Sequence, residues 1–216
     1  MSEREGVIKY QLQHRMGTLP ENLDLGELNA WRSLLFRLGL VGQQASRYQG
    51  LGFGNLSQRL ESGAPRFLIT GTQTGHLPQL SREDFAIVDH ASPLDNHIES
   101  YGPVQPSSEA LTHASVYQHD PLAQAVIHVH SPELWRQTLT LRLPHIGADI
   151  AYGSVAMAKA VEACLKSGQL QPLPLFSMLG HEDGIVAFGP SLASAANVLL
   201  TQLANALAIE LKAHGD

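Results

Sequence analysis

Cysteine, tryptophan and charge are all scarce in this chain, with 1 Cys, 2 Trp and 16% charged residues among 216. A lone thiol, Cys164, cannot close an internal disulfide, so a reducing, cytoplasmic location is expected. Blocks of basic residues are missing, and 14 Lys+Arg against 20 Asp+Glu leave a charge of −6. A non-specific hold on nucleic acid is therefore not expected. No apolar run approaches the ~18 residues of a membrane span, so no membrane partner is expected. Residues 1–6 lack the apolar stretch of a secretory signal. Repeats and low-complexity tracts are missing too. With 44% hydrophobic residues, disorder is excluded. A chain of 23.4 kDa buries about 70% of its unfolded surface. What the sequence has in excess is histidine, 11 in all.

Ile8, Tyr10 and Leu12 alternate with Lys9, Gln11 and Gln13, the period of a half-buried strand. Residues 1–24 are expected to form an arm lying on another subunit, and residues 25–216 one domain. Asp24 with Glu27 signals a helix start, followed by Leu28, Trp31, Leu35 and Leu38 at helical spacing. Strand-like runs at 54–60, 66–70, 85–89, 125–130, 173–178 and 185–188 are set off by Gly and Pro. Helical patterns cover 107–118, 154–166 and 191–214. Helices at both ends of a run of short strands predict an α/β fold. The expected form is a three-layer sandwich, its central, mostly antiparallel sheet flanked by helices.

His128-Val129-His130 is the sharpest chemical feature. In a strand, residues i and i+2 share a face, with Cα atoms roughly 6.5–7 Å apart. Two imidazoles there can share one ion, while Val129 faces the core. Two unrelated histidines on a strand face are the plainer alternative. Glu109 stands at a helix-start signature, Pro106-Ser107-Ser108-Glu109. By itself that is an ordinary acidic first turn, worth ~1 kcal/mol. In the order carboxylate, helix, histidine pair, it has the makings of a metal site with an acid/base beside it. His113, four residues on, is either a partner of Glu109 or a core histidine. The glycines of 50–54 lack the spacing of a dinucleotide fingerprint, and NAD binding is rejected. Asn55, Ser57 and the Thr/Gly run 70–75 suit either an anion or plain turns.

The order of these pieces resembles the class II aldolase/adducin family, to which L-fuculose-phosphate aldolase belongs. The matching runs are Gly54-Asn55-Leu56-Ser57, the 67–75 segment, Pro106-Ser107-Ser108-Glu109, and 125–132 with its histidine pair. Tyr152-Gly153-Ser154, Gly180-His181 and 184–189 complete the order, over about residues 25–210. The resemblance implies that His128, His130 and His181 ligate a divalent ion, usually zinc, with Glu109 as acid/base. It also implies a substrate-phosphate pocket of Gly54, Asn55, Thr74, Gly75, Ser107 and Ser108. Two departures stand out. Glu182-Asp183 intervene before Gly184, where the family has Gly straight after the histidine. The 131–152 stretch is short, with no counterpart of the tyrosine that protonates the leaving aldehyde in aldolases.

The implied activity is a zinc-dependent aldehyde-lyase, cleaving a carbon–carbon bond of a phosphorylated ketose through a metal-stabilised enediolate. Epimerisation of a pentulose phosphate and dehydration of a ketose phosphate use the same logic. Some family members are non-catalytic structural modules that lack the histidines, and a small-molecule-binding, adducin-like module is the remaining alternative. Members are commonly homotetramers with sites between subunits. A cupin would also offer His-x-His followed by Glu133, but cupins are all-β and the long helices argue against one. Metal capture needs neutral imidazoles, so activity is expected to fall below pH ~6.5.

Overall fold

The alternation within the strand Ala125–His130 sets the architecture. Ala125, Ile127 and Val129 join one apolar cluster and Val126 joins another, so both faces of the strand are covered. The protein is seen here as a computed structural model that describes residues 6–213. Most of the segment read as free of a secretory signal, and His214 at the end of the last predicted helix, lie outside the described residues.

In chain order the elements are β1 (Gln11–Met16), α1 (Gly26–Arg37), β2 (Gly42–Gln43), β3 (Gly52–Phe53), β4 (Asn55–Arg59), β5 (Phe67–Thr70), β6 (Phe85–Ser92) and β7 (His97–Gly102). There follow α2 (Ala110–His119), β8 (Ala125–His130), α3 (Pro132–Arg136), β9 (His145–Ile146), α4 (Val155–Lys166), β10 (Leu175–Met178), β11 (Gly184–Gly189) and α5 (Leu192–Ala213). Nine strands make one sheet in the order β1-β7-β6-β5-β4-β8-β11-β10-β9, and β2 pairs with β3 apart from it. Every pair inside the sheet is antiparallel; only the edge pairs β1–β7 and β9–β10 are parallel.

Helices cover both faces. Leu28 and Leu35 of α1, Leu134 of α3, and Leu192 and Leu199 of α5 pack on the face of Ile127. Leu111 and Val116 of α2, with Met157 and Val161 of α4, pack on the face of Val126. The three-layer α/β sandwich with a mostly antiparallel sheet is thus present. By length and composition α5 could cross a bilayer. Its Leu192, Ala195, Ala196, Leu199 and Ala206 are buried against the rest of the chain.

Some local expectations need correction. Asp24 accepts a hydrogen bond from Gly26 N at 2.8 Å but does not cap α1, whose N-cap is Leu25. α2 begins at Ala110: residues 107–109 form a turn first, closed by Ala110 N donating to Ser107 O at 3.0 Å. The first strand lies at 11–16, where the alternation in 8–12 put it slightly earlier. It pairs with β7 of its own chain, Leu12 opposite Ile98. The reason is the open ladder that β7 offers at the sheet edge.

Candidate active site

His128 and His130 project from β8 on the side opposite Val129, both wholly buried, with ring centroids 5.0 Å apart. His181 arrives from the turn between β10 and β11. Gly184 N donates to His181 O at 2.9 Å, and Asp183 within this turn is left-handed at φ 61°. A Cβ on Gly184 would stand 2.7 Å from His181 Cδ2, so a glycine there leaves room for the ring. The His181 ring lies 5.4 Å from His128 and 4.8 Å from His130. One nitrogen from each of the three falls within 4.8 Å of the others. The two inserted residues therefore leave His181 with the pair.

Burial keeps these rings neutral. It pulls His128 down to about 4, opposed by its hydrogen bond with Ile185 O. His130 and His181 are held well below the ordinary 6.5, again chiefly by burial and then by the neighbouring basic side chains, the other histidines with Arg47 or Lys9. The His128 Nδ1–Ile185 O distance is 3.1 Å, so Nδ1 must donate and Nε2 carries the lone pair. That Nε2 is buried and meets no hydrogen-bond partner among the described residues. A neutral ring fixed through one nitrogen, with the other bare, is the state in which histidine binds metal.

Glu109, 1% exposed, sits at the N-cap of α2. Its Oε1 is 3.9 Å from His181 Nε2, and its Oε2 accepts from Thr112 Oγ1 at 2.7 Å. Tyr10 Oη donates to Ser107 O at 2.8 Å and so steadies the turn before Glu109. His113 is a core histidine, wholly buried, with Nδ1 2.6 Å from Ser57 Oγ.

Three small-residue loops meet at the same end of the sheet. Asn55 stands opposite His128 in the β4–β8 register, with its Oδ1 buried and lacking a hydrogen-bond partner among the described residues. Gly54 is left-handed at φ 74°, and a Cβ there would lie 2.5 Å from Val41 Cγ1. Gly75 packs backbone on backbone: a Cβ would collide with Gly42 O and come within 2.7 Å of Gly52 Cα. Ser107 N donates to Thr70 O at 3.2 Å, and Ser107 and Ser108 are both buried. Thr74 turns its hydroxyl into its own loop, donating to Gly71 O at 2.9 Å.

Sequence reasoning missed several neighbours. The Tyr48 ring lies 4.6 Å from His130, and Phe53 lies 5.5 Å from it. Tyr152, known from the sequence only as part of a motif, is wholly buried 4.4 Å from the His181 ring. Lys9 Nζ sits 3.5 Å over that tyrosine. No spacing rule marks Tyr48 or Lys9, because both reach the site through loop and edge geometry. A cavity of about 830 Å³ beside His119, Gln124 and Gly189 opens at the opposite ends of β8 and β11, away from these groups.

The profile of the family described as Class II Aldolase and Adducin N-terminal domain matches residues 44–211. The methylthioribulose-1-phosphate dehydratase of Methylococcus capsulatus is 38% identical over 80 residues, 37% of this chain and 34% of that protein. The 3-oxo-tetronate 4-phosphate decarboxylase of Haemophilus influenzae is 31% identical over 105 residues, 49% of this chain and 45% of that protein. Each match thus spans less than half of the curated relative. The crystal structure of L-fuculose-1-phosphate aldolase from Thermus thermophilus superposes with a TM-score of 0.60 at 20% identity. The match covers 85% of this chain and 91% of that one. At that identity the likeness carries the fold alone.

Proposed function

Because this chain belongs to the class II aldolase and adducin family, we propose that it is a metal-dependent lyase that cleaves a carbon–carbon bond of a phosphorylated ketose. One observation carries the reading: three buried, neutral imidazoles converge, with a buried carboxyl oxygen 3.9 Å from one of them. The donor set of His128, His130 and His181 suits a divalent ion such as zinc, for which three histidines and an open position are a known catalytic arrangement. When bound, such an ion supplies Lewis-acid polarisation of substrate oxygens.

The chain's own residues do the rest. Glu109 takes and returns the proton at the substrate carbon next to the carbonyl, with Thr112 fixing one of its oxygens. The walls around Glu109 exclude water and so strengthen each charge interaction with the substrate. The substrate phosphate rests among Gly54, Asn55, Thr74, Gly75, Ser107 and Ser108, where main-chain N–H groups, hydroxyls and the start of α2 favour an anion. Thr74 contributes there through its main chain, since its hydroxyl is engaged with Gly71. A net charge of −6 gives no long-range attraction for phosphate, so local donors must supply the hold. In this reading the protein is a cytoplasmic homotetramer acting on a small sugar phosphate.

Dehydration of a ketose phosphate is the second reading, favoured by the dehydratase relative at 38% identity. In cleavage Glu109 would deliver a proton to the carbon beside the carbonyl once the aldehyde has departed. In dehydration it would take a proton from that carbon while hydroxide leaves the next one. Metal analysis, then incubation of the loaded protein with a panel of phosphorylated ketoses and product identification by NMR, tests both. An aldehyde plus a shorter ketose phosphate supports cleavage, and a product lighter by one water supports dehydration. Metal-loaded protein inert toward the whole panel would remove both.

A further inference from the structure

Asp183 occupies an awkward place. It lies in the two-residue step between His181 and Gly184, in a left-handed conformation that most side chains avoid and aspartate tolerates better than most. Its main-chain oxygen accepts from Ser131 N at 2.9 Å, and Ser131 directly follows His130. Its Oδ2 accepts from Tyr48 Oη at 2.6 Å, and Arg47 Nη2 stands 3.8 Å from the same oxygen. Arg47 also donates to Tyr48 Oη at 2.6 Å and lies over the Phe53 ring at 4.6 Å.

Tyr48 is held in an unusual way too. Tyr48, Gln49 and Gly50 are left-handed in succession, at φ 47°, 59° and 76°. That course brings the Tyr48 ring edge-on to His130 at 4.6 Å, with Phe53 packed against Tyr48 at 5.0 Å. Asp183 is therefore tied to the His130 end of β8 twice, once through the next main-chain amide and once through the ring beside the imidazole. It also sits two residues from His181. A short hydrogen bond to an ionised carboxylate is among the stronger links available to a side chain.

We infer that the Tyr48–Asp183 pair, braced by Arg47, is a positioning clasp that fixes His130 and His181 at one spacing and slows loss of the ion they hold. This rests on the metal-site reading above. Tyr48 and Asp183 act through the histidines, so they are positioning residues.

The test loads the purified full chain with Co²⁺, records its visible absorption, and times metal loss to excess chelator. Tyr48→Phe keeps the ring against His130 and deletes only the hydroxyl. Metal is expected to leave it about 10- to 100-fold faster, with a shifted Co²⁺ spectrum. Asp183→Ala should match it, and combining the two should add nothing further. Asp183→Asn, which keeps an acceptor for Tyr48, should restore most of the wild-type spectrum. Wild-type release and spectrum in Tyr48→Phe overturn the clasp, and so does a fall confined to the unfolding midpoint of the metal-free protein. If Asp183→Ala fails to fold, Tyr48→Phe and Asp183→Asn decide the matter. Failure of the unsubstituted protein to take up Co²⁺ overturns the metal reading, and the clasp with it, before any variant is made.

Discussion

Oε1 of Glu109 lies 3.9 Å from Nε2 of His181, and both side chains are closed off from solvent. The two residues come from different elements, one from the head of α2 and one from the turn before β11. In the proposed function, their meeting puts the acid/base and the ligand set in one site.

His128→Ala and His130→Ala should each reduce bound metal from about one ion per chain to a small fraction, since neither remaining pair fills a three-histidine set. Elemental analysis after gel filtration measures this. A double variant that keeps its full equivalent would remove the site from consideration.

Glu109→Gln should keep the metal and lose proton exchange. Deuterium incorporation at the substrate carbon beside the carbonyl should slow by about 10²- to 10⁴-fold, the usual share of a positioned acid/base. Exchange at the wild-type rate would take Glu109 out of the chemistry.

Acid should destabilise the metal-free protein. Burial holds His113, His128, His130 and His181 below the ordinary 6.5, with His128 at about 4. Below pH ~6.5 the unfolded chain takes up protons at these rings that the folded chain does not. Stability therefore falls as pH drops from 6.5 toward 4, by up to ~1.4 kcal/mol per pH unit for each ring. Above 6.5 these rings contribute no slope. Urea midpoints at about pH 7.5 and about pH 5.5 check the sign, and His113→Asn should lessen the slope by one ring's share. The same burial moves acid loss of metal below the value near 6.5 that free histidines suggest.

Gly75→Ala should cost ~1–3 kcal/mol, because the added carbon meets main-chain atoms of Gly42 and Gly52 that cannot rotate away. Urea unfolding reads the cost directly. An unchanged midpoint would mean that the loop relaxes freely and does not form a fixed cradle.

The layers and the histidine pair were legible because both follow short-range periods. Alternation in 125–130 gives a strand whose even-numbered residues share a face, and helical spacing gives α1, α4 and α5. His181 and Glu109 were legible only through motif order, since nothing local says that a turn and a helix head converge. Tyr48 was illegible: its place beside His130 depends on three left-handed residues in succession, which Tyr-Gln-Gly does not announce. The partner of β1 was illegible for a related reason, because strand pairing across some 86 positions leaves no periodic trace.

Tyr10 and Ser107 stand 97 positions apart in the chain, yet one hydrogen bond joins them. Contacts of such long range form late, because the intervening loop must close before they add any stability. Tyr10 and β1, made before their partners, thus wait for β7 and the 106–109 turn to emerge before they can dock. Until then the turn at the head of α2 lacks its outer brace, so completion of the proposed site is coupled to sealing the border of the sheet.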